Sequence, residues 1–322
     1  MNGNYVRIFL APMEGVVNHT MRTVLTELGG IDRCVTEFVR VTNTVYPKRV
    51  FYRYSPELKH QGKTPNGTPV YVQLLGSRPE LMAANAVVAC HAGAPGIDIN
   101  FGCPSKLVNK NEGGSILLRD PEKLFNITSA IRKSVPPEIP VTAKIRLGYE
   151  DTSLFNEITD AIFSAQADEL AIHARTKVDG YKPPAHWHCI KGIKDKSPVP
   201  LIPNGEVWNE NDYVDCMQQS GCSDVMIGRG ILARPDLPQR IKRYQQNISE
   251  GWRMDWLDAI RLLITFFDLS KSHYEERHLG NPVKQWMVYL KKGFPELVEV
   301  FDVIKRLKNP HDVRKTLVAY LD

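Results

Sequence analysis

The sequence predicts an α/β protein: a parallel (β/α)8 barrel, the TIM-barrel fold, followed by a small all-α helical bundle. Eight short apolar runs alternate with segments of helical periodicity as far as Tyr244, which is the pattern of such a barrel. From Trp256 onward only helical periodicity is present. A doubly wound sheet is the structural alternative. Its glycine-rich dinucleotide turn should follow the first strand, but Ala-Pro-Met-Glu-Gly stands there, at residues 11–15.

The eight strands are predicted where short apolar runs, many of them β-branched, end at turn-forming residues. Helical periodicity fills most of the intervals, and Pro79 and Pro121 stand where the first turn of a helix tolerates proline. The predicted strands are residues 7–13, 34–39, 69–76, 96–100, 141–147, 169–173, 201–204 and 224–228; the clearest helices between them are 78–91, 121–134, 154–166 and 210–220.

The second part of the chain is predicted to begin after a polar segment, residues 245–251, that ends in glycine. Four helices are expected at residues 256–273, 282–292, 296–307 and 310–321, separated by glycine and proline. We therefore expect a catalytic barrel over residues 1–245 and a helical domain over 246–322.

Net charge and cysteine spacing limit the functions that the chain can have. The 322 residues carry a formal net charge of only +5, so a nucleic-acid partner would require basic residues gathered on one face. The six cysteines form no Cys-x-x-Cys pair, and no signal peptide or membrane span is evident, so we expect reduced thiols in a cytoplasmic protein. The His-Trp-His-Cys segment at residues 186–189 lacks a second ligand pair, so no metal is expected.

Polar side chains follow all eight predicted strands at their carboxyl ends, the face that carries the chemistry of such barrels. Each alone has an ordinary explanation, such as a surface lysine or a core histidine, but their joint placement indicates an active site. The residues at the eight strand ends are Pro12 and Met13; Glu37; Gln73; Asn100 with Cys103; Lys144 with Arg146; His173 with Arg175; Asn204, Gly205 and Glu206; and Gly228, Arg229 and Gly230.

The loops after the seventh and eighth strands predict a phosphate site, because small residues let backbone amides approach an anion and Arg229 can pair with it. Gln73 and Lys144 suit the edge of a flat, electron-accepting ring, since a positive charge near N1 stabilises a reduced flavin. These residue types favour flavin mononucleotide (FMN). Cys103, at the mouth of a loop, could serve as nucleophile or proton donor, or be a buried structural cysteine.

Two other functional classes fit parts of this pattern. Lys144 could be the Schiff-base lysine of an aldolase with a sugar phosphate at the phosphate site, although that chemistry gives no role to Cys103 or the tail. A non-catalytic RNA-binding barrel leaves the polar strand ends without purpose. Flavin absorption, borohydride trapping on Lys144, or tRNA binding without either would distinguish the three.

Eight motifs together resemble the tRNA-dihydrouridine synthases, in order and across the whole barrel. The motifs are APMEG at residues 11–15, TE at 36–37, QLLG at 73–76, NFGCP at 100–104, KIRLG at 144–148, HART at 173–176, NGE at 204–206 and GRG at 228–230. Residues 36–41, 102–106 and 284–290 look most like the bacterial C-type subgroup, which reduces uridine 16 of the D-loop. Phe101 departs from that subgroup's pattern, where cysteine is expected.

The resemblance implies a flavin reduced by NADPH that passes hydride to C6 of uridine in tRNA, while Cys103 protonates C5. The uridine must leave its stack to reach the flavin. The implied cofactor-binding residues are Pro12, Met13, Glu14, Gln73, Lys144, His173, Asn204, Gly205, Glu206, Gly228 and Arg229. The candidates for contact with the base or the tRNA are Arg40, Asn100, Arg146, Tyr181, Lys284, Tyr289 and Lys305. A monomer is expected.

The helical tail resembles that family's tRNA-recognition domain. Lys284 and Lys291 are seven residues apart on one helical face, and residues 305–308 add three more cations. A solvated charged face explains any single lysine equally well, but a second module beside a barrel mouth suits the clamping of a large polyanion.

Overall fold

Parallel strands close into a barrel in the computed structural model, which describes residues 6–248 and 250–321. The first strand pairs with both the second and the last, and the second also pairs with the fourth, so no edge remains open. The described strands are β1 (Ile8–Leu10), β2 (Arg33–Val35), β3 (Val39–Arg40), β4 (Val70–Leu75), β5 (Ile97–Asn100), β6 (Val141–Arg146), β7 (Glu169–His173), β8 (Leu201–Asn204) and β9 (Val225–Ile227).

The prediction of one continuous second strand is wrong, because β2 and β3 share that position in the barrel. Both pair with β4: Val35 lies opposite Tyr71, and Val39 lies opposite Leu74. Val39 is four residues after Val35, whereas Leu74 is only three after Tyr71, so one extra residue lies between β2 and β3. This is a β-bulge, which changes the direction of the side chains within it. Glu37 lies inside this bulge and reaches the cavity described below.

The predicted helices are present, with shorter elements between them. The α-helices are α1 (His19–Glu27), α2 (Lys48–Tyr54), α3 (Pro79–His91), α4 (Lys106–Lys110), α5 (Pro121–Ser134), α6 (Phe155–Ser164), α7 (His188–Lys194), α8 (Glu210–Ser220), α9 (Arg229–Ala233), α10 (Leu237–Gln245), α11 (Trp256–Ser270), α12 (Gly280–Gly293), α13 (Leu297–Ile304) and α14 (Pro310–Ala319). Three 3-10 segments complete the described part: Pro56–His60, Gly114–Arg119 and Glu276–His278.

The barrel interior is filled at its amino-terminal end. The Arg33 guanidinium lies 4.2 Å from the ring centre of Phe9 and 4.4 Å from that of Tyr71, and it pairs with Glu169. Small and apolar side chains such as Ala171 and Ile202 pack in the same cluster. The packed end supports the fold and leaves the carboxyl-end face open.

Four helices, α11 to α14, follow the barrel as predicted, and α12 rests on α9. The buried indole of Trp286 donates a hydrogen bond to the Leu232 carbonyl at 3.0 Å, and Arg234 donates to the Gly293 carbonyl at 3.2 Å. Helix α11 packs against α1. These contacts place α12 beside the barrel mouth. The division of the chain at residue 245 stays a prediction, because one apolar core runs through both parts.

Candidate active site at the carboxyl-end face of the barrel

A cavity of about 740 Å³ opens at the carboxyl ends of the strands. This volume is within the range of small-molecule and cofactor sites. Parallel strands end at one face, so residues far apart in sequence meet here. The predicted site residues in its lining are Pro12, Met13, Glu14, Gln73, Asn100, Cys103, Lys144, Arg146, His173, Tyr181, Asn204, Gly205, Glu206, Gly228, Arg229 and Tyr289.

A chain of hydrogen bonds runs from the barrel interior to the cavity wall. The buried Asp98 carboxylate accepts from the Gln73 amide at 2.7 Å and from the Thr142 hydroxyl at 2.6 Å. The Gln73 oxygen accepts from the Asn100 amide nitrogen at 2.8 Å. A carboxylate only accepts hydrogen bonds, so the Gln73 nitrogen must face Asp98. The Gln73 oxygen then faces the Asn100 nitrogen.

Asn100 holds the loop that carries Cys103. Its side-chain oxygen accepts from the backbone amides of Gly102 at 3.0 Å and Cys103 at 2.9 Å. This closed turn presents the half-buried Cys103 to the cavity. Burial raises the thiol pKa above its ordinary value of 9.0, with a further contribution from Glu14. The thiol therefore carries its proton at neutral pH.

Lys144 projects from β6 and donates to the Asn204 side-chain oxygen on β8 at 3.0 Å. Burial and the nearby Arg146 lower its pKa to about 8, against an opposing contribution from Asp98. The ammonium group is thus mostly charged at pH 7 and lies at the cavity. A lowered pKa alone would also suit an aldolase lysine, so this residue does not decide the reaction.

Arg146, the last residue of β6, ties together the loops that follow β5 and β7. Its Nε donates to the Gly102 carbonyl at 2.8 Å, and its Nη1 donates to the carbonyls of Thr176 and Gly180 at 3.0 and 2.8 Å. Its guanidinium lies 5.2 Å from the ring centre of Tyr181, which is 55% exposed. Arg146 therefore supports the Cys103 loop, and Tyr181 is free to receive a flat ligand at the mouth.

Glu206 joins two arginines on the opposite wall. Its carboxylate pairs with Arg229 at 2.6 Å and Arg175 at 2.8 Å, and it accepts from the Trp208 indole at 3.2 Å. Burial opposes ionisation, but these partners lower the pKa of Glu206 below its ordinary value. Arg229 also lies between the rings of Tyr181 and Trp208, at 5.4 and 5.2 Å from their centres. Its guanidinium is held in place at the cavity.

His173 at the end of β7 is a neutral member of the site. Burial, together with the positive charges of Arg146 and Lys144, holds its pKa well below 6.5. Arg175 Nη1 lies 3.2 Å from His173 Nε2 and can only donate, so the imidazole proton is on Nδ1. A side chain at Gly205 would come within 3.0 Å of this ring, which explains the glycine.

Two carboxyl groups face each other beside the Cys103 loop. The backbone amide of Gly15 donates to Glu37 at 2.5 Å. Burial, with the neighbouring Glu37, raises the pKa of Glu14 to about 7. Sequence reasoning placed Glu37 at a strand end but did not anticipate that it would be paired with Glu14.

The tail contributes directly to the cavity wall. Val288, Tyr289 and Lys292 of α12 line it, and Lys292 lies 5.5 Å from the ring centre of Trp208. Sequence reasoning found Tyr289 but missed Trp208 and Lys292. An aromatic residue four positions after Asn204 was the available signal for Trp208, whereas nothing in the pattern distinguished Lys292 from Lys291.

Three predicted contacts lie outside the cavity lining. Arg40 ends β3. Burial raises the pKa of Cys103, and the charge of Arg40 is one of the smaller contributions that oppose this rise, so Arg40 lies near the site. Lys284 donates to the Leu307 carbonyl, and Lys305 pairs with Asp302 in the preceding turn. Both tail lysines thus have partners within the tail, and their role in RNA binding stays a prediction.

A flavin fits the residues present. The wall offers the Gln73 amide, the Lys144 ammonium and the Arg229 guanidinium beside apolar surface from Met13 and Met226, as a large aromatic ring with a phosphate tail requires. Gly228 approaches the Met13 sulfur so closely that an added Cβ would lie 3.2 Å from it. The Met13 side chain would have to shift to accommodate a side chain at this position.

Residues 6–248 and 250–321 contain neither a metal-binding cluster nor a membrane-spanning helix. No group of three or more His, Cys, Asp or Glu side chains in these ranges is arranged to hold a metal ion. None of the helices described there has both the length and the apolar character needed to cross a membrane. All six cysteines are free thiols, as expected.

The family model for dihydrouridine synthase (Dus) matches residues 9–319. The tRNA-dihydrouridine(16) synthase of Shewanella oneidensis is 45% identical over 312 residues, which cover 97% of each chain. The enzyme of that name from Pseudomonas syringae is 46% identical over 94% of this chain and 95% of its own.

Among solved structures, histamine dehydrogenase from Rhizobium sp. 4-9 superposes with a TM-score of 0.57 at 15% identity. The match covers 82% of this chain and 49% of that one. Identity this low supports the barrel fold alone.

Proposed function

Because the chain belongs to the dihydrouridine synthase family, it is an oxidoreductase that reduces uridine in tRNA, and we propose that the target is uridine 16 of the D-loop, with FMN as cofactor and NADPH as reductant. The observation that carries the proposal is the convergence of Cys103, Lys144 and Arg229 on one cavity. The names of the similar enzymes support position 16. We further propose that the enzyme acts as a monomer in the cytoplasm.

Bound flavin would supply the hydride. In this proposal Gln73 donates from its amide to the ring, and Lys144 holds a positive charge against it. Asn204 orients Lys144, since their side chains lie 3.0 Å apart. Arg229 pairs with the phosphate, aided by the backbone at Gly205 and Gly228. Glu206 keeps Arg229 in place and reduces its conformational freedom before binding.

Cys103 donates the proton to C5 of the uracil ring. Its raised pKa keeps the proton on sulfur until the reaction requires it. Asn100 sets the position of the sulfur through the hydrogen bonds that it accepts from the backbone amides of Gly102 and Cys103. Arg146 and Asn100 hold the base edge, and Tyr181 stacks against the extruded nucleotide at the mouth.

The tail holds the RNA. Its helix α12 forms part of the cavity wall, so a nucleotide that enters must pass between α12 and the barrel. Tyr289 then contacts the nucleotide, and Lys284, Lys305 and Arg40 contact neighbouring parts of the tRNA. Phe101, where the C-type pattern has cysteine, is fully buried and lies outside the cavity lining.

The test is to map dihydrouridine in tRNA from cells that lack this protein and from the same cells supplied with the parent enzyme or with Cys103→Ala. We expect dihydrouridine at position 16 to disappear, and to return only with the parent enzyme. Loss at another D-loop position would contradict the proposed site, and unchanged dihydrouridine throughout would contradict the proposed function.

A further inference from the structure

One surface segment carries almost only positive charge. Residues 40–66 contain six Lys and Arg and a single acidic residue, Glu57, in a protein whose total net charge is +5. Glu57 is buried and bound by Arg22, with Nε at 2.8 Å and Nη2 at 3.0 Å from its two oxygens. It therefore does not neutralise the exposed cations of the segment.

Five of those cations form what we call the α2 surface: Lys48, Arg49, Arg53, Lys59 and Lys63, all exposed. Arg53 lies over the ring of Tyr54 and Lys59 over that of Tyr52, each at 5.3 Å. Within the described part of the chain, none of the five forms an ion pair; their charges are available to a partner.

The cations of helix α2 stand where folding alone disfavours them. Lys48 and Arg49 occupy its first turn, next to the positive end of the helix dipole, and Pro47 supplies no side-chain cap. Arg49 and Arg53 are four residues apart, so their like charges face each other. Such a conflict between local preference and structure is expected at functional surfaces.

The segment that leads into the α2 surface starts at the rim of the cavity. Arg40 ends β3 just after the cavity-lining Phe38, and the Tyr46 hydroxyl donates to the Arg40 carbonyl at 2.9 Å. Asn85 of α3 accepts from the Tyr46 amide at 2.9 Å and fixes the segment that leads into α2. Lys48 and Arg53 are then separated by about 8 Å along the helix. An extended polyanion can contact both, whereas a single small anion cannot.

We propose that the α2 surface binds the phosphate backbone of the tRNA outside the nucleotide that enters the cavity. This inference rests on the proposed function, which supplies a large RNA at the cavity mouth. The tail closes one side of that mouth, and the α2 surface extends from the bulge between β2 and β3. The RNA is held between the two, and its affinity depends on salt through these free cations.

The test is the variant K48Q/R49Q/R53Q, in which glutamine removes the charge but keeps a polar side chain and the helix propensity. We expect weaker binding of unmodified tRNA and a log–log salt slope smaller by roughly 2 to 2.7, at about 0.7–0.9 for each lost phosphate contact. Dihydrouridine formation should show a raised KM with kcat little changed. Flavin absorption should match that of the parent, because these residues touch neither the cavity nor a carboxylate, and the unfolding temperature should be equal to that of the parent or higher, because charges opposed to the helix dipole are removed.

The matched control is K191Q/K194Q/K196Q, which removes the same charge from α7 and its end, away from the α2 surface. An unchanged salt slope in K48Q/R49Q/R53Q, or an equal fall in the control, would overturn the proposal. The proposal would also be overturned if K48Q/R49Q/R53Q bound phosphatidylserine vesicles less tightly than the parent but bound tRNA equally well. Failure of the proposed function would be seen separately, as a parent enzyme that binds tRNA but forms no dihydrouridine.

Discussion

Replacing Cys103 with alanine isolates the proton-transfer step. The variant should bind flavin, accept electrons from NADPH and bind tRNA, because the thiol takes part in none of these. Oxidation of the reduced enzyme by unmodified tRNA should slow by about 10²–10⁴-fold, the usual loss for a general acid. The pKa of the Cys103 thiol lies above 9.0, so less than about 1% of it is thiolate at pH 7. Nearly every molecule of the parent enzyme therefore has this proton available.

The pH dependence gives a second readout. Above the raised thiol pKa, parent reoxidation should fall about tenfold per pH unit relative to that of Cys103→Ala, which has no thiol to deprotonate. Stopped-flow absorbance of the flavin measures both. Cys103→Ser should restore little, since a hydroxyl is a far weaker acid, and Cys189→Ala is the control because that half-buried thiol lies outside the cavity lining. A Cys103→Ala enzyme that reoxidises at the parent rate would refute the assignment.

Three further outcomes are expected. Lys144→Ala and Arg229→Ala should each purify with less flavin than the parent or Lys191→Ala, by absorbance at equal protein concentration; full occupancy in both would contradict the proposed cofactor geometry. Lys284→Ala combined with Lys305→Ala should weaken tRNA binding and lower its salt slope by roughly 0.7–0.9 per lost contact; an unchanged slope would confine both lysines to their partners in the tail. The pKa of Lys144 is lowered from 10.5 to about 8, so at this residue the unfolded chain binds more protons between these values, and its contribution to the free energy of unfolding of the flavin-free protein should rise with pH across that window by up to about 3 kcal/mol. The difference in free energy of urea unfolding between the parent and Lys144→Met should show this rise, because the buried thiols whose raised pKa values act in the opposite direction are common to both.

The barrel was predictable because its signals are local. Short apolar runs that end in polar residues report buried parallel strands, and parallel strands deliver their ends to one face. Gln73, Lys144 and Asn204 could therefore be placed together without any contact information. The bulge between β2 and β3 was not predictable, because it is defined by the register against β4. A one-residue offset leaves no trace in an apolar run.

The contribution of the tail to the cavity depends on packing that no local pattern contains. Lys292 reaches the site because Trp286 is buried against α9, six residues earlier on the same helix. Trp208 reaches it because its indole donates to Glu206. Asn100 was predicted to contact the base, and its amide also binds Gln73 and the Cys103 loop, which leaves one amide N–H for the base. Those partners became visible only once β4 and β5 were paired.

The lysines of the tail and the cations of α2 show what sequence spacing leaves open about an RNA-binding surface. Spacing along a helix identifies a shared face, but whether a charge is free depends on which acceptors lie within reach of it. Lys305 has Asp302 one turn earlier, and Lys284 reaches a carbonyl after α13. Lys48 and Arg49 lie at a helix amino terminus, where nearby backbone groups are donors and offer a cation nothing. A cation retained there against the helix dipole finds its compensation outside the folded chain, and in an enzyme that acts on RNA the phosphate backbone provides it.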